Sequence, residues 1–311
     1  MNLRPLGHTG PNVSAISFGA SSLGAVFRPV DEADAIRAVH TALDLGVNYV
    51  DVAPAYGGTL AETVLGKALR GIPRDRYVLS TKVGKYTAPE AYGADTLDYS
   101  RARIRRSLEE SAARLGTDYF DIVHLHDIEY QGRRHTEWAL AEGLDAVWQL
   151  KQEGRVGAVG VGTYPMDLWR RILTTLPVDV CLVHNHYSLH DTRLLDLLPI
   201  ARRTGVGMIN GSPFGSGLLT ERGAPGWHPA SPAQRAVFRR AAEFCAAQGT
   251  SIAKVAIQFS SQHPDIPTTM FSSANPDAVR RTIEWAAEPF DPALVAQVQT
   301  ILEPVHDLDW F

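Results

Sequence analysis

Short apolar runs and amphipathic stretches alternate along the chain. Residues 47–52 (Val-Asn-Tyr-Val-Asp-Val), opened by Gly46, are rich in β-branched and aromatic positions and predict a buried strand. Residues 77–82, 120–126, 156–161, 180–185 and 206–210 share that character. Helical spacing lies between them. In residues 31–45, Ala35, Val39, Ala42 and Leu43 fall on one face behind a capping Asp31. Residues 59–69, 100–115, 137–152, 167–174 and 192–203 repeat the helical pattern. Residues 3–19 predict a hairpin, turned by Gly7, Gly10 and Pro11, that runs into a first strand at 15–18. Residues 234–247 and 251–262 are both helical ahead of a last strand at 266–272, so the seventh repeat carries an extra helix. A C-terminal helix spans 291–302. Strand and helix recur at roughly 30–40 residues, which in 311 residues predicts an α/β fold closed as a (β/α)8 barrel, one domain over 1–311. An open doubly wound sheet fits less well, because no Gly-x-Gly-x-x-Gly follows an early strand.

Composition narrows the function. A net charge of −4 offers no electrostatic basis for binding nucleic acid, and no apolar stretch of 18 residues is present to span a membrane. The first ten residues carry no apolar run of a signal peptide, and two cysteines, Cys181 and Cys245, cannot build a disulfide framework. The expectation is a cytoplasmic protein, monomer or homodimer, acting on a small molecule. The tail Asp309-Trp310-Phe311 is an exposed-looking apolar end that is expected to fold over another part of the chain.

The candidate chemistry sits at strand ends. The first long apolar run ends on Asp51, and Tyr56 follows in a Pro/Gly-rich loop; the next strand ends on Lys82 and the next on His126. Strand C-termini are where barrels keep their sites. An ammonium beside a phenol favours the phenolate, and a carboxylate beside the ammonium keeps it charged. Lys82 and Asp51 are therefore expected to lower the pKa of Tyr56 toward working pH, with His126 polarising a carbonyl oxygen. The Gly/Pro/Tyr-rich loop 84–98 reads as a site-forming insertion. His124 reads as a wall residue.

Asp51, Tyr56, Lys82 and His126 in this order resemble an aldo-keto reductase over nearly the whole chain. Within that superfamily, Tyr56-Gly-Gly-Thr-Leu-Ala-Glu, His126-Asp-Ile-Glu129 and Trp227-His-Pro-Ala-Ser-Pro232 are most similar to the L-galactose dehydrogenase group. The resemblance implies an NAD(P)-dependent oxidoreductase with Tyr56 as general acid/base, oxidising an L-galactose-like aldose at C1 to the lactone. An NADPH-dependent carbonyl reductase is the alternative within that chemistry. Two further alternatives are a non-enzymatic binding barrel and a metal-dependent hydrolase using His124, His126 and Asp127; the intact four-residue set and the lack of a third well-spaced ligand weigh against them.

The Gly-rich segment 210–220 resembles a pyrophosphate loop, with Ser212, Pro213, Phe214, Gly215, Ser216 and Gly217 as candidate contacts. Ser272, Ser273 and Asn275 open a helix suited to a phosphate or ribose. NADP-dependent relatives carry a lysine near Ser272 and an arginine near Ala278. This chain has neither, so NAD is expected, with Arg281, beside Arg280, as the residue for NADP. Gly162-Thr163 stands where many relatives have Ser-Asn, and Leu182 or a neighbour where they commonly present a glutamine. Thr163 and Asn185 are then the candidate nicotinamide anchors, and Tyr187 is either a stacking face or a wall aromatic. His126, Asp127, Glu129, Trp227 and His228, with Tyr56, supply the polar groups and aromatic face a sugar needs; Asp127 and Glu129 either shape that pocket or cap the next helix.

Overall fold

The computed structural model of the chain describes residues 3–26, 28–86 and 96–310. Strands β1 (Leu3–Pro5) and β2 (Asn12–Ser14) pair antiparallel as the expected hairpin. Then follow β3 (Ile16–Gly19), α1 (Glu32–Asp44), β4 (Tyr49–Asp51), α2 (Leu60–Leu69) and β5 (Val78–Val83). A two-stranded excursion, β6 (Lys85–Tyr86) with β7 (Thr96–Leu97), precedes α3 (Arg101–Leu115) and β8 (Phe120–His126). The second half continues with α4 (Thr136–Trp138), α5 (Leu144–Gln152), β9 (Val156–Thr163), α6 (Met166–Thr175), β10 (Val180–His184) and α7 (Leu198–Thr204). It ends with β11 (Gly207–Gly211), α8 (Pro232–Ala247), α9 (Ile252–Ser261), β12 (Thr268–Phe271), α10 (Pro276–Ala287) and α11 (Pro292–Leu302). Among the described residues, β3, β4, β5, β8, β9, β10, β11 and β12 close a parallel barrel with helices around it.

The strands alternate between two apolar layers. Tyr49, Val78, Ile122, Ala158, Val180, Leu182, Ile209 and Met270 point inward and pack with Leu6 and Val13, so the hairpin plugs the end of the barrel from which the strands start. That plug needs a glycine. Gly7 has φ +71, and a Cβ there would lie 2.4 Å from the Gly207 amide nitrogen. The outward residues meet the helices, α1 through Ala35, Ala38, Val39 and Ala42. Asp31, Ser100, Ser231, Ser251, Asn275 and Asp291 cap their helices with side-chain acceptors.

Three helical expectations are refined. Residues 192–203 split into a 3-10 turn (Arg193–Leu197) and α7, because Pro199 is tolerated only in a first helical turn. Residues 137–152 contain a π-turn at Ala139–Gly143 between α4 and α5. The extra helix in the seventh repeat is α8, which packs with α9, α11 and the tail in a cluster of its own around Phe238, Ile252, Val298 and Leu302. The tail folds over the body of the protein, as expected. Trp310 is buried against His190, His228 and Phe238, and its backbone N–H donates to the Tyr164 hydroxyl at 3.0 Å. Phe311 lies outside the described residues, as does most of the expected insertion loop, 87–95.

Candidate active site

Parallel register brings the polar strand ends together. Asp51 is opposite Ser80 on the next strand, Lys82 is opposite His124, and His126 is opposite Gly162. Lys82 is almost wholly buried, and its ammonium donates to Asp51 Oδ2, to Val52 O at 3.2 Å and to the Tyr56 hydroxyl at 3.0 Å. Ser80 Oγ donates to Asp51 Oδ1 at 2.6 Å. The Tyr56 and His126 rings meet edge to face, centroids 5.5 Å apart at 89°. Asp51, Lys82 and Tyr56, from β4, β5 and the loop after β4, thus form a hydrogen-bonded chain at the barrel mouth, with the His126 ring of β8 packed against its end.

The electrostatics correct one expectation. Burial raises the Tyr56 pKa, and this outweighs the opposing pull of Lys82, so the phenol is the resting form. Burial alone would lower Lys82, but Asp51 and Tyr56 hold it above its ordinary value, firmly cationic. Burial takes His126 down to about 3 despite Asp127 nearby, so its imidazole is neutral at working pH. Its Nδ1 is buried without a hydrogen-bond partner among the described residues, which leaves Nε2 as the nitrogen for the site. His124 lies wholly buried one inward position deeper, also held neutral by burial, consistent with a wall residue. Among the described residues no group of three His, Cys, Asp or Glu side chains is placed to hold a metal ion.

The outer candidates divide. Asp127 sits in a left-handed turn (φ +48) and pairs with Lys85 Nζ at 2.8 Å. Thr163 donates its hydroxyl to Glu129 Oε2 at 2.6 Å, and Glu129 Oε1 accepts from the Tyr164 N–H at 3.1 Å, so Glu129 ties two loops together and does not cap a helix. Tyr187 stacks on Phe259, with centroids 5.1 Å apart, and is a wall aromatic between barrel and helices. Trp227 is 56% exposed, whereas the adjacent His228 is buried with Nδ1 accepting from the Ala230 N–H at 3.1 Å.

A model of the aldo/keto reductase family matches residues 15–303. The chain belongs to the aldo/keto reductase family. It is 40% identical, over all of its length and 97% of the relative's, to an L-galactose dehydrogenase of Arabidopsis thaliana. It is 30% identical to a D-threo-aldose 1-dehydrogenase of a Pseudomonas species, over 92% of this chain and 93% of that one. An aldo-keto reductase from Bacillus halodurans, solved in holo form, superposes with a TM-score of 0.78 at 26% identity, covering 100% of this chain and 98% of that one.

The family and the dehydrogenase relatives imply a nicotinamide cofactor, and the tight, hydroxyl-bearing loop after β11 fits one. In the segment after β11, Ser212, Gly215, Ser216 and Gly217 all have positive φ, so the loop turns tightly; the Gly215 and Gly217 amides donate to the Ser212 and Phe214 carbonyls, which leaves the partly exposed Ser212 and Ser216 hydroxyls as the groups for an anion. Pro213 is buried and Phe214 half-buried against the core, fixing the loop's base. Ser216 Oγ lies 3.2 Å from Asn185 Nδ2, so these two candidates are neighbours. Ser272 bonds to both Ser21 (3.1 Å) and Ser22 (2.8 Å), while Ser273 Oγ accepts from the Asn275 N–H at 3.1 Å and Asn275 caps α10. Arg281 is exposed on α10.

Two site residues of this reductase escaped the sequence reading. Lys85 reaches the site because Gly84 (φ +98) turns the chain after β5 and the β6–β7 pair folds back. His184 ends β10 on the inward face below which Val180 and Leu182 lie. Burial lowers it to about 4 against the pull of Asp127. The alternation Val180, Leu182, His184 was a usable signal for His184; nothing local marked Lys85.

Proposed function

We propose that this aldo/keto reductase oxidises an L-galactose-like aldose at C1 to the aldonolactone, using NAD and Tyr56 as general acid/base. The observation that carries the reading is the buried chain Asp51–Lys82–Tyr56 with His126 at its edge. The substrate class rests on the 40% identity with the L-galactose dehydrogenase. A nicotinamide dinucleotide, when bound along residues 212–217 and the start of α10, supplies the two-electron redox chemistry.

The chain's own residues handle the proton. His126 Nε2 donates to the sugar O1 and orients it. Tyr56, deprotonated to the phenolate that Lys82 stabilises from 3.0 Å away, accepts the O1 proton as the carbonyl forms and becomes the neutral phenol. Because burial holds the Tyr56 pKa high, the phenolate exists only under that ammonium, and Asp51 keeps the ammonium charged. The same geometry run backwards makes Tyr56 the acid that reduces a carbonyl.

The preference for NAD is supported by the place of the adenosine end. Ser272 is engaged with Ser21 and Ser22, Ala278 has no charge, and the nearest cations in sequence, Arg280 and Arg281, are exposed on the helix surface. A 2′-phosphate there lacks a ready charge-assisted partner. Initial rates with L-galactose, comparing NAD and NADP in parallel, test the reading, and fast reduction of NAD is expected. Turnover with NADP alone transfers the clamp to Arg280 or Arg281. Reduction of simple aldehydes with NADPH, and no sugar oxidation, replaces the reading by a carbonyl reductase.

A further inference from the structure

The site contains a buried ion pair that proton transfer does not use. Lys85 Nζ lies 2.8 Å from Asp127 Oδ2, with side chains only 10% and 13% exposed, and also stands 3.8 Å above the Tyr130 ring. Asp127 is rigidly set. Its N–H donates to Gly162 O at 2.8 Å, and the carbonyls of His126 and Asp127 accept from the buried Tyr99 hydroxyl at 2.7 and 3.3 Å. Its Oδ2 is 3.6 Å from His126 Nε2, just beyond hydrogen-bonding distance and close enough for one oxygen to bridge the two.

A buried ion pair is a poor means of gaining stability, since desolvation offsets most of the attraction. This one lies beside the nitrogen assigned to the reacting oxygen. A carboxylate only accepts hydrogen bonds, so it cannot bind that oxygen once it is a carbonyl. It requires a substrate O–H donor, and its position next to His126 Nε2 calls for one on the carbon bonded to the reacting carbon. We propose that Asp127, held by Lys85, is a specificity determinant that binds the hydroxyl adjacent to the reacting carbon, so that the reductase selects 2-hydroxy aldehydes and aldoses over plain aldehydes. This rests on the reading of Tyr56 and His126 as the groups that hold the reacting oxygen.

Ionic state and geometry agree. Burial opposes the charged form of Asp127, but His126 and Lys85 together hold its pKa below the usual carboxylate range. Lys85 touches Asp127 and is not assigned a contact with the reacting atoms; its role is positioning. Discrimination by a buried group built for a hydroxyl is large, because the analogue without the hydroxyl leaves that group unpaired.

The test uses lactaldehyde and propanal, which differ by the C2 hydroxyl, with NADH and NADPH each supplied. The readout is the ratio of their kcat/KM values. One hydrogen bond to a charged acceptor predicts a wild-type preference for lactaldehyde of about ten- to a hundredfold. Lys85→Met and Asp127→Asn should bring the ratio to within about threefold of one, while Lys85→Arg, which keeps the cation, should retain most of it. A wild-type ratio near one overturns the proposal. So does a Lys85→Met variant that loses rate equally on both aldehydes, the signature of a purely structural role. A wild type that neither reduces these aldehydes nor oxidises L-galactose with any of the four nicotinamide cofactors overturns the proton-relay reading itself, so the two failures are told apart.

Discussion

Replacing Lys82 with methionine would strip the ammonium from a carboxylate with nowhere else to turn. The Lys82 and Asp51 side chains are 2% and 3% exposed, and Asp51 would keep just the Ser80 hydroxyl at 2.6 Å. Breaking a buried pair by removing one member costs about 3–5 kcal/mol, because the remaining charge is uncompensated. An unfolding entropy of about 2.1 cal/mol/K per residue over 311 residues comes to roughly 0.65 kcal/mol/K, so Tm should fall by about 5–8 °C. Differential scanning calorimetry at pH 7.5 reads this directly. The double variant Asp51→Leu/Lys82→Met removes both charges and should recover most of the loss, since Ser80 still has the Tyr49 hydroxyl at 3.0 Å. A single variant melting within 1 °C of wild type would refute the argument, and so would a double variant whose losses simply add. Either would mean that water reaches Asp51 and that the pair is not the isolated unit its burial implies.

Tyr56→Phe should lower kcat by at least about 10²–10⁴ while leaving the cofactor Kd within roughly threefold by fluorescence titration; wild-type-like turnover would remove Tyr56 from the mechanism. Stability should fall with acid. His126 at about 3 and His184, His190 and His228 at about 4 are all depressed from 6.5 by burial, so the unfolded chain binds more protons than the folded one below about pH 6.5. Their contribution is fully present above pH 6.5 and is lost between about 6.5 and 3, and a Tm that stays flat from pH 7 to 5 would contradict it. Trp310→Ala should destabilise by about 3–5 kcal/mol, because it empties a contact with His190, His228 and Phe238; an unchanged melting curve would mean the tail does not hold its place in solution.

Much of the architecture could be read along the chain because periodicity is local. An apolar run followed by a helical stripe needs no distant residue to be recognised, and repeating it to the end implies a closed parallel barrel. The clustering of the four candidate catalytic residues was legible for the same reason. In a parallel barrel all strand ends face one mouth, so noticing that three consecutive strands end near Asp51 and Tyr56, at Lys82 and at His126 places those side chains together. The matters that stayed hidden all depend on what comes near a residue from far along the chain. The sign of the Tyr56 shift follows from depth of burial, and charge order cannot supply depth. Thr163 faces Glu129 across 34 residues, and Lys85 finds Asp127 across 42 because a glycine turns the chain back. That the apolar tail covers something could be expected from Trp310, but what it covers, the α8–α11 cluster, could not. Partner choice and desolvation are set by packing between elements remote in sequence, so they become known only when the chain is folded.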